Sequence, residues 1–291
     1  MKTIPAPAMA ETPSMHCMEI QGGSGSVDNY FSRPGLDIWL SSHSQARNQA
    51  GGNDLYLVSS CASGRITRTL LADICSYGSD FTKTASDLRE LMKKNINSIR
   101  QSRFVRQLGY QLENDSQRGC FATMVLSTYF APTRKLTLCN AGHALPLLFS
   151  ATSHEWSLLR QTSNELSLKE PTHGVVGRDE YQEFETELDI GDLVLSYSSA
   201  FSECRDGDSR TIGCEGILSR VRQLDPHQPT QLAAALIDGI RREQSENLAS
   251  EDGTIMLCQV TPNRVTWIDN VLAPFRYLTK VSDKTQIRQR N

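Results

Sequence analysis

Two aspartates, Asp54 and Asp73, stand at the ends of two strand-like runs of apolar residues. Asp54 opens DLYLVSSCA and Asp73 lies near the end of RITRTLLADI, with Ser63–Gly64 as the expected turn between them. A hairpin turning there places the two carboxylates opposite each other, because each lies about nine or ten residues from the turn. Facing carboxylates repel each other unless a cation lies between them, and Mg²⁺ prefers such an all-oxygen environment.

The same spacing also has a purely structural interpretation. Asp is common in turns and at the ends of secondary-structure elements, so Asp54 fits a turn residue and Asp73 fits a strand-end cap. Spacing alone favours these structural roles over metal binding, and both alternatives stay open at this point.

Other familiar chemistries lack their motifs in this chain. There is no Gly-Lys dipeptide for a Walker A loop, no G-x-S-x-G nucleophile elbow and no H-E-x-x-H among the six histidines. The closest two of the eight cysteines are ten residues apart, so there is no C-x-x-C for a zinc ribbon or a thioredoxin-like site. We expect free thiols in the core.

The elements that must position the two aspartates follow from hydrophobic periodicity. Apolar residues at three- and four-residue spacing predict helices around 85–96, 104–112, 217–221 and 232–240. Alternating or continuous apolar runs predict strands in LDIWLSS, CFATMVLSTYF, KLTLCNA, LPLLF, EWSLL, EFETEL, LVLSY and TIMLCQV, besides the hairpin. This order predicts an α+β fold with sheets and helices in layers.

Composition limits the domain count and the partners. The 291 residues are 38% hydrophobic and 22% charged with a net charge of −3, so nucleic acid is not an expected partner. No apolar run approaches the ~20 residues of a membrane span, and no signal peptide is evident, so we expect a cytoplasmic protein. We predict a flexible lead-in over 1–30, one domain over 31–260 and a basic tail over 261–291, while the oligomeric state stays open.

Five segments, in order, resemble the SpoIIE/RsbU-like bacterial serine phosphatases, a branch of the metal-dependent PPM (protein phosphatase 2C-type) family. The Gly-Gly-Asp strand and Ala-Asp turn of that family resemble GGNDLYLVSSCASGRITRTLLADICSYG here. Its central hairpin, with an Asn-Ala-Gly-His loop, resembles FATMVLSTYFAPTRKLTLCNAGHALPLLF, and Gly174 to Gly177 takes the place of its Pro-Leu-Gly turn. Its last two motifs resemble LDIGDLVLSYSSAFSECRDGD and EDGTIMLCQV.

The resemblance implies a sandwich of two antiparallel β-sheets flanked by α-helices, with two Mg²⁺ or Mn²⁺ ions at one end. It implies hydrolysis of phosphoserine or phosphothreonine in proteins by a metal-activated water. Asp54 and Asp73 match the catalytic metal aspartates, the main-chain carbonyl of Ile74 matches another ligand, and Glu251 and Asp252 match the closing aspartate pair.

The chain departs from the family pattern at the expected metal site. Ser199 stands where the Tyr-Thr-Asp-Gly motif has its aspartate, Ala200 replaces the glycine, and Glu251 replaces an aspartate. Ser76 and Tyr77 replace Gly and His in the turn after Asp73. Losing a carboxylate weakens the electrostatic stabilisation of a two-metal cluster, so one or both ions are put in doubt. Glu203 is a further carboxylate that could substitute.

Two functions follow from these departures. The first is a metal-dependent serine/threonine protein phosphatase of reduced activity in cytoplasmic signalling, which Asp54 and Asp73 favour. The alternative is a catalytically dead pseudophosphatase that binds a phosphoprotein or a regulator, which Ser199 and Glu251 favour. We expect His143 to be a structural turn residue rather than a proton donor, and the arginines Arg33, Arg65 and Arg68 to be solvated.

Overall fold

The structure, a computed structural model, describes residues 15, 17–43, 53–61, 64–75, 80–116, 121–160, 183–249, 251–263 and 281–287. Several sequence-based expectations lie outside these residues. They concern the Gly51–Gly52 pair, Ser63 of the hairpin turn, Ser76 and Tyr77, the Gly174 to Gly177 turn, and most of the lead-in and the tail.

Thirteen strands in the described part of the chain form two sheets, and every strand pair but one is antiparallel. The first sheet has the order β10 (Glu183–Glu187), β7 (Lys135–Ala141), β6 (Phe121–Phe130), β5 (Ile66–Cys75), β4 (Asn53–Cys61), β1 (Glu19–Gly23), β13 (Ser282–Gln286). The second has the order β2 (Val27–Arg33), β3 (Leu36–His43), β12 (Gly253–Val260), β11 (Leu193–Tyr197), β8 (Leu147–Ser150), β9 (Glu155–Leu158).

Five helices of the described residues cover the outer faces of the two sheets. The first sheet packs against α1 (Asp80–Lys94) and α2 (Ser102–Ser116). The second packs against α3 (Ser199–Glu203), α4 (Gly213–Val221) and α5 (Pro229–Glu243). A third apolar cluster fills the space between the sheets, which gives the four layers helix, sheet, sheet, helix. None of the helices in the described ranges is long and apolar enough to cross a membrane.

The alternation of side chains along the strands explains how each sheet serves two cores. In β5, Leu70, Ala72 and Ile74 belong to the core under α1 and α2, whereas Leu71 belongs to the core between the sheets. Both faces of such a strand are buried, so the continuous apolar run LVLSY and the apolar stretch of RITRTLLADI are read correctly as buried strands.

Two segments outside the central motifs are more ordered than the sequence led us to expect. β1 and β2 lie largely within the glycine-rich lead-in, and β13 lies within the basic tail. β13 pairs in parallel with β1, and Lys284 of β13 forms an ion pair with Glu19 of β1. Strand pairing with a protected sheet edge supplies hydrogen bonds that composition does not reveal. The domain boundaries themselves remain a prediction.

Candidate metal site

The hairpin of β4 and β5 places Asp54 directly opposite Asp73, as the spacing predicts. Both carboxylates lie at the same end of the first sheet and face the second sheet, and they are only 4% and 8% exposed. The turn that sets this register contains Gly64, whose φ of 84° is accessible to glycine and whose N–H donates to the Cys61 carbonyl at 2.9 Å.

Each carboxylate keeps one buried oxygen without a hydrogen bond. Asp54 Oδ2 and Asp73 Oδ1 have no hydrogen-bond partner among the described residues. Burial, together with the charge of Asp73, raises the pKa of Asp54 well above its ordinary value of 3.8, and hydrogen bonds from Thr254 and Ser198 act in the opposite direction. Two buried like-charged groups with unused oxygens are the kind of site that a cation stabilises.

Protein donors hold the other oxygen of Asp73. The backbone N–H of Ser199 donates to Asp73 Oδ2 at 2.7 Å, so the residue that replaces an expected aspartate contacts Asp73 through its main chain. Ser199 begins α3, and the preceding Ser198 exchanges two hydrogen bonds with Thr254 of β12: the N–H of Ser198 donates to the Thr254 carbonyl, and the N–H of Thr254 donates to Ser198 Oγ. These bonds connect Asp73 to the residues that follow β11 and, through Ser198, to the start of β12.

His143 approaches Asp73 from the Asn-Ala-Gly-His loop. Its Nδ1 lies 3.8 Å from Asp73 Oδ2 and 3.2 Å from Thr123 Oγ1, and the side chain is buried. Asn140 closes the loop, because its Oδ1 accepts the His143 N–H at 2.7 Å and its Nδ2 donates to the His143 carbonyl at 2.9 Å. Burial lowers the pKa of His143, and the charge of Asp73 partly opposes that shift. The residue that we expected to be structural therefore also adjoins the site.

The remaining sequence-predicted ligands are less well placed. Ile74 is fully buried within β5, opposite Asn53 of β4 and Ala122 of β6. Glu251 and Glu203 are exposed and Asp252 is half-buried. Over the ranges that the structure covers, no three His, Cys, Asp or Glu side chains come together as a metal site.

These observations indicate how many metal ions the residues fit. Two buried carboxylates, each with an unused oxygen, fit one hard divalent cation such as Mg²⁺ or Mn²⁺. They fall short of the donor set for two ions, since Ser199 offers a neutral side chain and the Glu251 side chain is exposed.

The expectation for the isolated arginines is wrong for two of them. Arg68 is fully buried beneath α1 and α2, and Arg33 is buried, with its guanidinium donating to the Met15 carbonyl and to Ser60 Oγ. The sequence did not distinguish either from a solvated arginine, because Arg33 ends a largely polar strand and Arg68 is a single charge within a strand.

Comparison with known proteins gives one family match and many similar structures. Residues 70–261 match the family model for stage II sporulation protein E (SpoIIE). No curated protein sequence matches the chain.

Three solved structures show the same fold at low identity. The RsbU and RsbW domains of Rv1364c from Mycobacterium tuberculosis are 19% identical with a TM-score of 0.59, over 82% of this chain and 63% of that one. RsbX in complex with magnesium is 14% identical with a TM-score of 0.55, over 81% of this chain and 100% of that one. The PP2C phosphatase domain of SpoIIE from Bacillus subtilis, solved with a fragment of its regulatory domain, is 13% identical with a TM-score of 0.59, over 83% and 70%.

These matches confirm the fold predicted from the sequence, a layered α+β sandwich of PPM type. The family model covers about two thirds of the chain and includes Asp73, Ser199 and the closing strand β12. The chain therefore belongs to the SpoIIE family and carries a PPM-type protein phosphatase domain.

Proposed function

We propose that this chain is a metal-dependent protein serine/threonine phosphatase whose site holds a single Mg²⁺ or Mn²⁺ ion between Asp54 and Asp73. One observation carries the proposal: the two carboxylates face each other in a buried position, and each has an oxygen without a hydrogen bond. A cation there would relieve the repulsion that burial strengthens. Phosphoserine or phosphothreonine in a cytoplasmic signalling protein is the proposed substrate class.

The chain's own residues have distinct tasks in this proposal. Asp54 and Asp73 would hold the ion, which when bound polarises a phosphoryl oxygen and lowers the pKa of a coordinated water. The Ser199 N–H fixes one oxygen of Asp73 at 2.7 Å, which leaves the other oxygen for the ion. His143 Nδ1 lies 3.8 Å from Asp73 Oδ2, the oxygen that accepts the Ser199 N–H, and so helps to orient the same carboxylate. The main-chain carbonyl of Ile74 and the side chains of Glu251 and Asp252 are the remaining candidate ligands.

Three chains test the proposal: the wild type, Asp73→Asn and Ser199→Asp. We expect the wild type to hydrolyse an aryl phosphate and a phosphoserine peptide slowly in Mn²⁺, and Asp73→Asn to lose at least 100-fold of that rate. Ser199→Asp adds a carboxylate beside the pair, so its rate should rise about tenfold. Asp238→Asn on the exposed surface of α5 is the matched control and should keep the wild-type rate.

A second function, the pseudophosphatase, is favoured by a specific observation. Asp73 Oδ2 already accepts a backbone hydrogen bond from the residue that replaces an aspartate, and the described residues contain no group of three metal ligands. A wild-type rate equal to that of Asp73→Asn, together with a gain in Ser199→Asp, would establish this alternative. The domain would then act by binding a phosphoprotein or a regulatory partner.

A further inference from the structure

The tip of the α1–α2 hairpin concentrates positive charge in a chain that is acidic overall. Residues 91–112 contain Lys93, Lys94, Arg100, Arg103 and Arg106 and no acidic residue, while the net charge of the whole chain is −3. The three arginines form no ion pair with any residue that the structure describes, and all three are exposed. Exposed cations at this density produce a local positive potential.

Apolar side chains flank the arginines at both ends. Ile99 is 51% exposed and Tyr110 is 52% exposed, and only Ile190 is comparably exposed among the large hydrophobic residues of the described ranges. Arg103, Arg106 and Tyr110 follow one another at three- and four-residue spacing on α2, so they share one face of that helix, and Ile99 lies just before its first turn. We call this surface, formed by Ile99, Arg100, Arg103, Arg106 and Tyr110, the α2 face.

Buried polar contacts hold the backbone beneath the α2 face in a fixed position. Arg68 of β5 donates to the carbonyls of Asn95 and Ser98 at 2.7 Å each, and its guanidinium stacks over the ring of Phe104. Thr128 of β6 donates to Gln101 Oε1 at 2.7 Å, directly before α2 begins. A surface held in this way loses little conformational entropy when a partner binds.

We propose that the α2 face is a docking site for an acidic, amphipathic segment of a partner protein. Arginine and tyrosine are among the residue types that contribute most to protein–protein binding energy, and here Arg103, Arg106 and Tyr110 lie within about two turns of α2, with Arg100 just before it. The carboxylates of the partner would meet Arg100, Arg103 and Arg106, and its apolar side chains would cover Ile99 and Tyr110. The site is separate from the two aspartates and does not depend on whether the domain hydrolyses phosphate.

The surface suits a protein partner better than a membrane or a nucleic acid. An interfacial helix inserts a continuous apolar face, whereas the α2 face has two apolar residues separated by arginines. Domains that bind nucleic acid are typically basic, whereas this chain has a net negative charge. An acidic protein segment matches both the charge and the apolar ends.

Binding of a defined peptide to the full-length chain tests the proposal. The probe is a synthetic amphipathic peptide of about 18 residues, with leucine on one helical face and glutamate beside it. We expect the combined variant Arg100→Gln, Arg103→Gln and Arg106→Gln to weaken binding at least tenfold in titration calorimetry. The pair Ile99→Ser and Tyr110→Ser should weaken it about fivefold without changing its salt dependence.

A charge-matched control separates this site from general electrostatic attraction. Arg210→Gln, Arg241→Gln and Arg242→Gln remove three exposed arginines around the second sheet and should leave the affinity unchanged. An equal loss in this control, or no loss in the Ile99 and Tyr110 pair, would refute the docking site. Tighter binding of phosphatidylserine vesicles or of single-stranded RNA than of the peptide would overturn the assignment to a protein partner. Asp73→Asn should bind the peptide normally, so a failed phosphatase proposal is not confused with a failed docking site.

Discussion

The β4–β5 hairpin buries charged side chains in two regions, and the two regions differ in how fully these side chains are hydrogen-bonded. Arg68 and Asp73 both lie on β5, five residues apart, so their side chains point to opposite faces of the sheet. Arg68 points under α1 and α2, where its Nε, Nη1 and Nη2 all donate to protein oxygens. Asp73 points between the sheets, opposite Asp54, and both carboxylates keep an oxygen without a hydrogen bond.

This difference indicates that the charge of Arg68 is structural, whereas the aspartate pair is available for chemistry. Burial lowers the pKa of Arg68 to about 10, so it stays protonated at neutral pH, and its hydrogen bonds fix the connection between the helices. The aspartate pair combines burial with like charge and has no ion pair with a Lys or Arg of the described residues, so it destabilises the apo fold. Unused polar atoms of this kind concentrate at functional sites.

The largest effect is expected at Arg68. Arg68→Met keeps much of the side-chain volume but leaves two carbonyls and the Thr128 hydroxyl without their donor, which should cost about 3–5 kcal/mol in the free energy of unfolding. Urea denaturation followed by circular dichroism measures this cost. Arg241→Met, at an exposed position of α5, should stay within about 0.5 kcal/mol of the wild type. Equal effects of the two substitutions would remove the structural role assigned to Arg68.

At Asp54 we expect a substitution to stabilise the fold rather than destabilise it. In EDTA at pH 7, Asp54→Asn should raise the free energy of unfolding by roughly 1–2 kcal/mol, because it removes one of two facing buried charges. The pKa of Asp54 is higher in the folded chain than its ordinary value of 3.8, so the folded state binds a proton more readily than the unfolded state. Stability from this group is full below that value and is lost as the pH rises through the folded pKa.

The advantage of Asp54→Asn should therefore shrink as the pH is lowered from 7 towards 4, as measured by denaturation at a series of pH values. Adding Mn²⁺ should raise the melting temperature of the wild type and not that of Asp54→Asn, since only the native carboxylate pair gains a cation. A variant less stable than the wild type at pH 7 in EDTA would show that the pair is not a source of electrostatic strain.

The sequence predicted that Asp54 faces Asp73, because this placement depends only on the register of the hairpin. Two aspartates equidistant from a Gly-containing turn must face each other in a hairpin, and the order of strands and helices was sufficient for the α+β sandwich. The positions of β12 beside β3 and of β13 beside β1 depend on pairings between distant segments, and a short polar strand such as β13 carries little signal for them.

The sequence could not predict which groups satisfy the buried charges. Ser199 was expected only as a missing carboxylate, whereas its contact with Asp73 is a main-chain N–H, which any residue type supplies. His143 reaches Asp73 through a loop whose conformation depends on Asn140 and on the positive φ of Gly142. Arg68 is buried because carbonyls of a distant helix connection surround it, and those carbonyls have no sequence signature.

The smallest effect is expected at Ser198, which links the aspartate pair to the protein's own hydrogen bonds. Its hydroxyl accepts the buried N–H of Thr254 at 3.0 Å and also lowers the pKa of Asp54. Ser198→Ala should cost about 1 kcal/mol at pH 7 in EDTA, because a buried N–H loses its acceptor. The pKa of Asp54 should then rise further, so acidification towards pH 4 should stabilise this variant more than the wild type.

Ser219→Ala on the exposed face of α4 is the control, with no measurable change in stability or in its pH dependence. If Ser198→Ala matched this control in stability and in pH dependence, Ser198 would neither support the Thr254 N–H nor lower the pKa of Asp54.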